Sequence, residues 1–545
     1  MQVRAARGRR LHWSPSGQAA SPPAISTPAA PTDPEIETMT QQASLAALQE
    51  RIAAVNDVLN ATSLLTWDSR TMMPAGGAET RGQQIATLTR IARDLLLAPE
   101  TEKALELADQ AVEGLPSDAA ERRMVQQARH AFEHHRSVPA SLIQERAALR
   151  TAAQSAWIEA RSKSDFSIFA PHLSKTVELS RAYADCIGWS AHPYDAMVSI
   201  YEPGETAASL ETLFSTLRDG LLPILDAARS RPQPRSDFLF RDFPEEGQRA
   251  FGLSLAGKLG YDLQRGRLDT TVHPFEVSFT RNDVRITTRY NRNYLPASMF
   301  GTAHEVGHGL YEQGVDPAYT RTTLATDLVG LYAVGGTSFG AHESQSRLWE
   351  NHIVRSRTFW ERHFPDLQHH FPDQLGDVSS EEFYRAVTRV EPGFIRVEAD
   401  ELTYDLHIML RVDIECALMD GSLPVSELPE AWNAAIKRDL DLAVPNDAKG
   451  VLQDVHWSTG YIGSFPTYTI GNIMGAQVME TLRKQNTSFD ASIEAGDYGL
   501  LTEELRTRIW QHGRRFMRDE LLERETGRRL DPEPYLAYLR NKYAS

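Results

Sequence analysis

The sequence predicts a mainly α-helical protein that contains one small β-hairpin. From Ser44 onward, apolar residues recur at helical spacing along most of the chain, and short polar or proline-containing stretches separate these runs. Two of the separating stretches, residues 230–237 and 363–374, are predicted to be loops. A strict alternation of apolar and polar residues is found at residues 273–290, which we therefore expect to form the hairpin.

The first predicted helix follows an N-terminal segment of a different composition. Residues 1–38 contain four arginines within the first ten positions, several prolines and no acidic residue before Asp33. A transit peptide is one interpretation, but prolines interrupt any amphipathic helix, and no secretory apolar stretch is present. We expect a disordered extension, or a start site placed too early with Met39 as the true first residue. Residues 39–545 are predicted to form a single large helical domain, whose first apolar run is Leu45, Leu48, Ile52, Val55 and Leu59.

Composition excludes several classes of function. The chain has 545 residues, of which 41% are hydrophobic and 24% charged, as in ordinary globular proteins. Its net charge of −16 argues against a nucleic-acid partner, which would require a basic surface. No apolar run approaches the ~20 residues that a membrane-spanning helix needs. The two cysteines, Cys186 and Cys416, form no disulfide framework, so a reducing, cytoplasmic location is expected.

The predicted hairpin lies directly upstream of the most informative motif. Phe275, Val277 and Phe279 alternate with polar residues, the sequence TRND then forms a turn, and Val284 and Ile286 alternate again. We therefore expect two short strands at this point in an otherwise helical chain.

A histidine motif suggests a catalytic metal site on the next helix. The stretch from Pro296 to Gly314 contains no further proline and ends at a residue that commonly terminates helices. His304 and His308 are four residues apart, so they share one helix face and can chelate one ion. Glu305 points about 100° away from His304, where it can accept a proton from water beside the ion. The alternative is a helix that carries two histidines by coincidence.

Two other histidine groups are predicted to be surface features. The sequence HAFEH at residues 130–134 fits an inverted metal-binding pattern, but the surrounding arginines would repel a cation. We interpret it as a solvated helix face. His369 and His370 are adjacent, so they point in different directions, and they lie in the predicted loop at 363–374.

A catalytic zinc ion needs a third protein ligand in addition to the two histidines. The metzincin continuation is absent, because Tyr311 and Gly314 occupy the positions where glycine and histidine would be required. The third ligand should therefore be a carboxylate or histidine on a later helix. The candidates are His342, Glu343 and Glu350, with Glu312 less able to close the site.

Several motifs in order make the chain resemble a known family. It resembles the metallocarboxypeptidases of the carboxypeptidase Taq family, also called thermostable carboxypeptidases, from about Met39 to the C-terminus. The matching motifs are HPF at 273–275, DVRIT at 283–287, HExxH at 304–308, HESQSRLWEN at 342–351, IRVEAD at 395–400 and GVLQDVHW at 450–457. The segment LLTWDSRTMMP at 64–74 also resembles the N-terminal region of the family.

The resemblance implies a fold and a metal site. It implies His304, His308 and Glu343 as ligands of one divalent ion, most readily zinc with cobalt or manganese as alternatives, and Glu305 as the general base. The implied fold is a helical, two-lobed, gluzincin-like zinc peptidase with a deep active-site groove, often a homodimer. An edge strand beside the metal-binding helix would pair with the extended substrate backbone. The segment between His308 and Glu343 looks several residues longer than the family norm.

Other candidate residues would bind the substrate. A carboxypeptidase must hold a free carboxylate, for which arginine is best suited; Arg396 is the first candidate and Arg285 the second. For each, the alternative is a structural ion pair. Tyr404 and His456 are candidate donors to the oxyanion of the tetrahedral intermediate, by similarity to related zinc peptidases. His273 is a further substrate-binding candidate, although Pro274 beside it also fits a structural role.

The predicted function is therefore release of C-terminal amino acids from peptides by metal-activated water. An endo-acting zinc oligopeptidase is the main alternative, because the same metal-binding helix serves both reactions. A catalytically silent peptide-binding protein is a third, but the intact ligands and Glu305 argue against it.

Overall fold

The computed structural model describes residues 34–332 and 334–544 and is mainly helical. The mainly α prediction is confirmed. Most of the predicted N-terminal extension, residues 1–33, lies outside the described residues, and the first helix begins at Pro34.

The first half of the described chain contains ten α-helices and a small sheet. Its helices are α1 (Pro34–Thr71), α2 (Ala78–Leu96), α3 (Pro99–Val112), α4 (Ala120–Ser137), α5 (Ala140–Lys163), α6 (Phe166–Ile187), α7 (Pro193–Val198), α8 (Ala207–Arg229), α9 (Glu245–Lys258) and α10 (Leu295–Gly314).

The second half is helical in the described residues. Its helices are α11 (Phe339–Arg347), α12 (Arg357–His370), α13 (Pro372–Leu375), α14 (Ser380–Val387), α15 (Glu401–Asp420), α16 (Leu428–Leu440), α17 (Pro466–Gln485), α18 (Phe489–Ala495), α19 (Gly499–Arg508), α20 (Arg518–Thr526) and α21 (Glu533–Tyr543). A π-helix, Leu348–Val354, continues directly from α11.

The sheet contains the predicted hairpin and one further strand. The strands are β1 (Gly266–Thr270), β2 (Glu276–Thr280) and β3 (Asp283–Thr288), in the order β1-β3-β2. β2 and β3 pair antiparallel, as predicted, and β1 pairs with β3 in parallel. The β1 strand was not predicted, because its sequence GRLDT has one large aliphatic residue and no clear alternation.

The two faces of the sheet have different surroundings. Val284 and Ile286 of β3 are fully buried in the same apolar cluster as Val306 and Leu310 of α10. Because side chains alternate along a strand, Arg285 points to the opposite face, where its guanidinium lies 4.4 Å from the ring of Trp67 on α1. One face of the sheet therefore packs on the metal-binding helix, and the other faces α1.

The buried apolar residues form three clusters. The first core joins the sheet to α9–α14 and α17–α20, and the second joins α5–α8, α15, α16 and α21. Helix α17 contributes to both, with Met474 in the first and Ile473 in the second. The third core lies between α1, α2, α3 and α4, and it includes Leu328 from the segment that connects α10 and α11.

One of the two predicted loops is instead a helix. Residues 363–370 belong to α12, which continues through Pro365, so the loop prediction is wrong there. Phe364 and Leu367 are buried in the first core, and this apolar contact holds the helical conformation despite the proline. His369 remains exposed at the C-terminal end of the helix. The loop at 230–237 is largely confirmed, since residues 231–236 lie outside any helix or strand.

Among the described residues, no helix combines the length and apolar character that crossing a membrane requires.

Candidate active site

Helix α10 brings His304 and His308 together. The two residues lie on consecutive turns, and their ring centroids are 4.9 Å apart. The helix can approach α11 closely because Gly307 has no side chain: a Cβ atom there would lie 2.5 Å from the carbonyl oxygen of Gln345. The glycine within the HExxH sequence thus permits the contact that brings α11 to the histidines.

Glu343 of α11 completes a cluster of three potential ligands. Its Oε2 atom lies 3.2 Å from Nε2 of His308 and 3.6 Å from Nε2 of His304. Two ligand atoms that are each about 2.0–2.2 Å from one tetrahedral ion lie about 3.3–3.6 Å apart. The observed separations therefore fit a single ion without rearrangement of the side chains. In the part of the chain that the structure describes, this is the one group of three or more such residues whose ligand atoms lie within 4.8 Å of each other.

A glycine also makes room for Glu343. A Cβ atom at Gly471 of α17 would lie 2.7 Å from Cγ of Glu343. Any larger residue there would displace the glutamate from the histidines.

Glu350, on the π-helix, lies behind His304 rather than beside Glu343. Its Oε2 is 3.0 Å from Nδ1 of His304, and its Oε1 accepts a hydrogen bond of 2.9 Å from Nη2 of Arg355. Burial opposes ionisation of Glu350, but the charges of Arg355, Arg347 and His304 hold its pKa below the ordinary value. A carboxylate that accepts from Nδ1 fixes the ring orientation and leaves Nε2 free to bind an ion.

Arg347 is an important residue that the sequence did not reveal. It lies one turn after Glu343, and its Nε donates a hydrogen bond of 2.8 Å to Oε1 of Glu343. Its guanidinium also lies 4.3 Å from the ring centroid of Tyr404. Arg347 therefore occupies the second oxygen of Glu343 and connects the three-ligand cluster to α15. The i, i+4 spacing was visible in the sequence, but the contact with Tyr404 was not.

The remaining candidates for the third ligand pair with each other. Nε2 of His342 lies 2.8 Å from Oε1 of Glu312, and the same carboxylate accepts from the backbone N–H of Gly335. The His342 ring stacks on His308 with centroids 4.6 Å apart and an interplanar angle of 16°. His342 and Glu312 thus support the cluster from behind.

Glu305 is a buried carboxyl group beside the cluster. It is 5% exposed, and its Oε2 has no hydrogen-bond partner among the described residues. Burial is the main cause that raises the pKa of Glu305 to about 8; Glu343 and Glu350 add to this effect, and His304 opposes it. Oε2 thus has no competing partner in the described chain, and the positive charge of an ion held at the cluster would oppose the effect of burial and favour the carboxylate form that accepts a proton.

A second cluster contains Arg396. Its Nε donates to Asp454 at 3.0 Å and its Nη1 to the Tyr404 hydroxyl at 3.1 Å. Asp454 also accepts a hydrogen bond of 2.6 Å from Nε of Arg411. One carboxylate is thus shared by two guanidinium groups, which leaves an excess of positive charge beside Tyr404. Arg396 is 6% exposed.

His456 belongs to the same second cluster. Its Nε2 lies 3.3 Å from the Tyr468 hydroxyl, and its ring packs on Phe465 at 4.5 Å. Its buried Nδ1 has no hydrogen-bond partner among the described residues and lies 4.0 Å from Oδ1 of Asp454. Burial, followed by the charges of Arg396 and Arg411, lowers the pKa of His456 to about 3. The imidazole is therefore neutral at physiological pH.

Comparison with known proteins identifies the family. The sequence profile of the carboxypeptidase Taq (M32) metallopeptidases matches residues 47–543. The chain belongs to this family. The protein is therefore a metal-dependent carboxypeptidase, a peptide hydrolase, and the resemblance seen in the sequence motifs is confirmed.

Relatives of this carboxypeptidase cover almost its entire length. Thermostable carboxypeptidase 1 of Thermus thermophilus is 41% identical over 500 residues, which cover 89% of this chain and 95% of the relative. Carboxypeptidase 1 of Bacillus subtilis is 36% identical over 486 residues with the same coverage. The crystal structure of the M32 carboxypeptidase from Deinococcus radiodurans R1 matches with a TM-score of 0.86 at 40% identity, over 92% of this chain and 99% of that one.

Two predicted substrate-binding residues of the carboxypeptidase lie away from both clusters. Arg285 forms a two-point ion pair with Asp283, at 2.8 and 2.9 Å, on the sheet face that is directed at α1. His273 is exposed between β1 and β2; partial burial and then Arg289, Arg161 and Arg70 lower its pKa. For Arg285, these contacts support the structural alternative.

The second histidine motif of the carboxypeptidase lies on α4. His130 and Glu133 are exposed, but His134 is buried with its Nε2 2.7 Å from the Tyr183 hydroxyl. The prediction of a solvated face is therefore wrong for His134, which packs between α4 and α6. Burial, followed by His135 and His130, lowers the pKa of His134 to about 3.

Proposed function

We propose that His304, His308 and Glu343 hold the divalent metal ion of this carboxypeptidase, and that the ion is zinc, with cobalt or manganese able to replace it. The observation that carries the proposal is the separation of 3.2 and 3.6 Å between Glu343 Oε2 and the two Nε2 atoms. Two imidazoles and one carboxylate are a donor set that suits zinc and leave a position open for catalysis.

Glu305 acts as the general base in this proposal. When bound, the ion lowers the pKa of water and polarises the scissile carbonyl. Glu305 removes a proton from the attacking water as the new C–O bond forms. It then transfers that proton to the amine nitrogen as the C–N bond breaks, so it is regenerated as a carboxylate. Its unpartnered, buried Oε2 supports this role, because no other group of the described chain competes for the proton.

Arg396 binds the C-terminal carboxylate of the substrate. The second cluster has two arginines for one aspartate, so a further carboxylate can be accommodated without unbalanced negative charge. The cluster is linked to the first through Tyr404, which contacts both Arg396 and Arg347. A substrate held at Arg396 would therefore place its last peptide bond close to the three-ligand cluster.

Tyr404 and His456 are the proposed donors to the oxyanion. The Tyr404 hydroxyl accepts from Arg396, so its own proton remains available. His456 is neutral, and a neutral imidazole can donate through one of its two nitrogens. Both groups could then stabilise negative charge that develops on the carbonyl oxygen.

The endo-acting oligopeptidase remains the second candidate. The same three ligands and Glu305 would serve it, and β2 is an edge strand in the described sheet, available to pair with an extended peptide. The second cluster favours a carboxypeptidase, because a peptide that is cleaved internally has no terminal carboxylate next to the scissile bond to bind there. The test is a time course of product masses from a longer peptide: stepwise loss of single C-terminal residues supports the proposal, and early internal fragments would favour the oligopeptidase.

Other predictions stay open to experiment. The substrate-binding roles of Arg285 and His273 stay predictions, and both residues would contact a longer substrate from positions outside the two clusters. A single domain, a homodimer and a cytoplasmic location are proposed from the sequence and the family resemblance; the two free cysteines, Cys186 and Cys416, support a reducing compartment. Light scattering coupled to size exclusion measures the oligomeric state, and calorimetry tests for one cooperative unfolding transition.

A further inference from the structure

Glu276 is an unpaired carboxyl group close to Glu305. It is the first residue of β2 and pairs with Ile286 across the hairpin, so both side chains lie on the sheet face that packs on α10. Its Oε1 is buried and has no hydrogen-bond partner among the described residues, whereas the residue as a whole is partly exposed. Buried polar atoms of native proteins are nearly always satisfied, so an unpaired one on an edge strand calls for a partner from outside the chain.

No positive charge of the described chain balances Glu276. The influences on its carboxyl group are burial and then the negative charges of Glu312 and Glu305, all of which raise its pKa. Glu312 is already satisfied by His342, by the backbone N–H of Gly335 and by the Ser278 hydroxyl. In the described chain, Glu276 therefore lacks the cation that would favour its ionised form, and burial together with Glu312 and Glu305 opposes ionisation.

Glu276 and Arg396 approach the metal cluster from different elements. Contacts run from Arg396 through Tyr404 and Arg347 to Glu343 on the α11 side of the cluster. Glu276 instead approaches from β2, which packs on α10, the helix that carries Glu305. If the terminal carboxylate of a peptide is bound at Arg396, the peptide would extend from there toward β2. The residue that precedes the scissile bond would then lie on the β2 side of the cluster.

We propose that Glu276 binds the cationic side chain of a lysine or arginine immediately before the scissile bond, and so gives the enzyme a preference for a basic penultimate residue. This inference rests on the proposed function, because it assumes that the terminal carboxylate binds at Arg396. A lysine ammonium at Glu276 would satisfy the unpaired oxygen and favour the ionised form of this carboxyl group, against the effects of burial, Glu312 and Glu305.

The test compares two substrates that differ in one charge. The peptides are benzyloxycarbonyl-Ala-Lys-Leu and benzyloxycarbonyl-Ala-norleucine-Leu. Their penultimate side chains have similar aliphatic parts, and only the lysine side chain is cationic. With the zinc-loaded full-length enzyme, the ratio of kcat/KM for lysine over norleucine should be about ten or more. In Glu276→Gln, which keeps the size and polarity but removes the charge, this ratio should fall about tenfold or more. Glu494→Gln, an exposed glutamate on α18, is the control for net charge and should keep the wild-type ratio.

The possible outcomes separate the inference from the proposed function. If the wild type releases leucine from both peptides without a preference, or if Glu276→Gln changes both rates equally, Glu276 does not bind the side chain. The inference about Glu276 is then wrong, while the proposed carboxypeptidase function stands. If the wild type releases leucine from neither peptide, the proposed function itself is in error. A Tm measurement on each variant checks folding, and Glu276→Met replaces the Gln variant if that variant is unstable.

Discussion

His304 lies between two glutamates, with Nδ1 3.0 Å from Glu350 Oε2 and Nε2 3.6 Å from Glu343 Oε2. Both glutamates come from one continuous helical segment, and the sequence did not distinguish their roles without the family resemblance. The geometry does distinguish them, because Glu343 also faces His308, whereas Glu350 is held by Arg355.

The first prediction uses this difference. Glu343→Ala should lose the metal ion, because it removes one of three ligands, and activity should disappear with it. Glu350→Ala should still bind the ion, with affinity reduced about 10- to 100-fold, the usual effect of losing a residue that orients a ligand. Elemental analysis gives the metal content, and competition with a chelator of known affinity gives the dissociation constants.

The wild type provides the control for that experiment. Exhaustive chelation should abolish its activity, and added zinc or cobalt should restore it. If Glu350→Ala lost its metal while Glu343→Ala kept it, the third ligand would have been assigned to the wrong glutamate.

The second prediction separates metal binding from catalysis at Glu305. Glu305→Gln keeps a similar shape but cannot accept a proton, so the metal content should stay near one ion per chain. Turnover should fall by about 10²-fold or more, the scale expected for loss of a general base. Steady-state kinetics on the metal-loaded variant measures the effect, and near-normal turnover would exclude Glu305 as the base.

The third prediction concerns the contact between α10 and α11. In Gly307→Ala, the new Cβ would lie 2.5 Å from the Gln345 carbonyl oxygen and 2.6 Å from Cα of Ser346, both backbone atoms of α11. The two helices must move apart, so the free energy of unfolding should fall by about 1–3 kcal/mol and the metal affinity should also fall.

Gly82→Ala is the matched control for this substitution. Gly82 lies within α2, and a Cβ there would meet no atom within 4 Å. Alanine should therefore stabilise that helix by about 0.5–1 kcal/mol and leave the metal affinity unchanged. Equal effects of the two substitutions, measured by denaturant unfolding and metal titration, would contradict the packing argument.

Local patterns in the sequence predicted some parts of the site and could not predict others. His304, Glu305 and His308 lie on one helix, so their spacing alone was informative, and the alternation at 273–290 revealed the hairpin. The contact of Arg347 with Tyr404 joins α11 to α15, and the unpaired state of Glu276 depends on β2 packing against α10. Such relationships arise only from tertiary packing of segments that are distant in the sequence.

The incorrect predictions have a similar origin. Pro365 suggested a loop, but the burial of Phe364 and Leu367 maintains the helix around it. His134 looked solvated because many arginines are near it in the sequence. Arg129 and Arg136, however, pair with Asp109 and Glu102 of α3, and the imidazole packs against Tyr183.

The fourth prediction tests the central claim, that Arg396 holds the terminal carboxylate of the substrate. The measurement is kcat/KM for a peptide with a free C-terminal carboxylate and for its C-terminal amide, in the wild type, Arg396→Ala and Arg285→Ala. Loss of a charge-assisted contact should reduce cleavage of the free acid by roughly 10- to 150-fold in Arg396→Ala, and the preference for the acid over the amide should fall by a similar factor. Arg285→Ala, which breaks an ion pair on the other face of the sheet, should affect both substrates equally. If instead Arg396→Ala reduced both rates equally, or Arg285→Ala removed the preference for the free acid, the account of how this enzyme recognises a C-terminus would be contradicted.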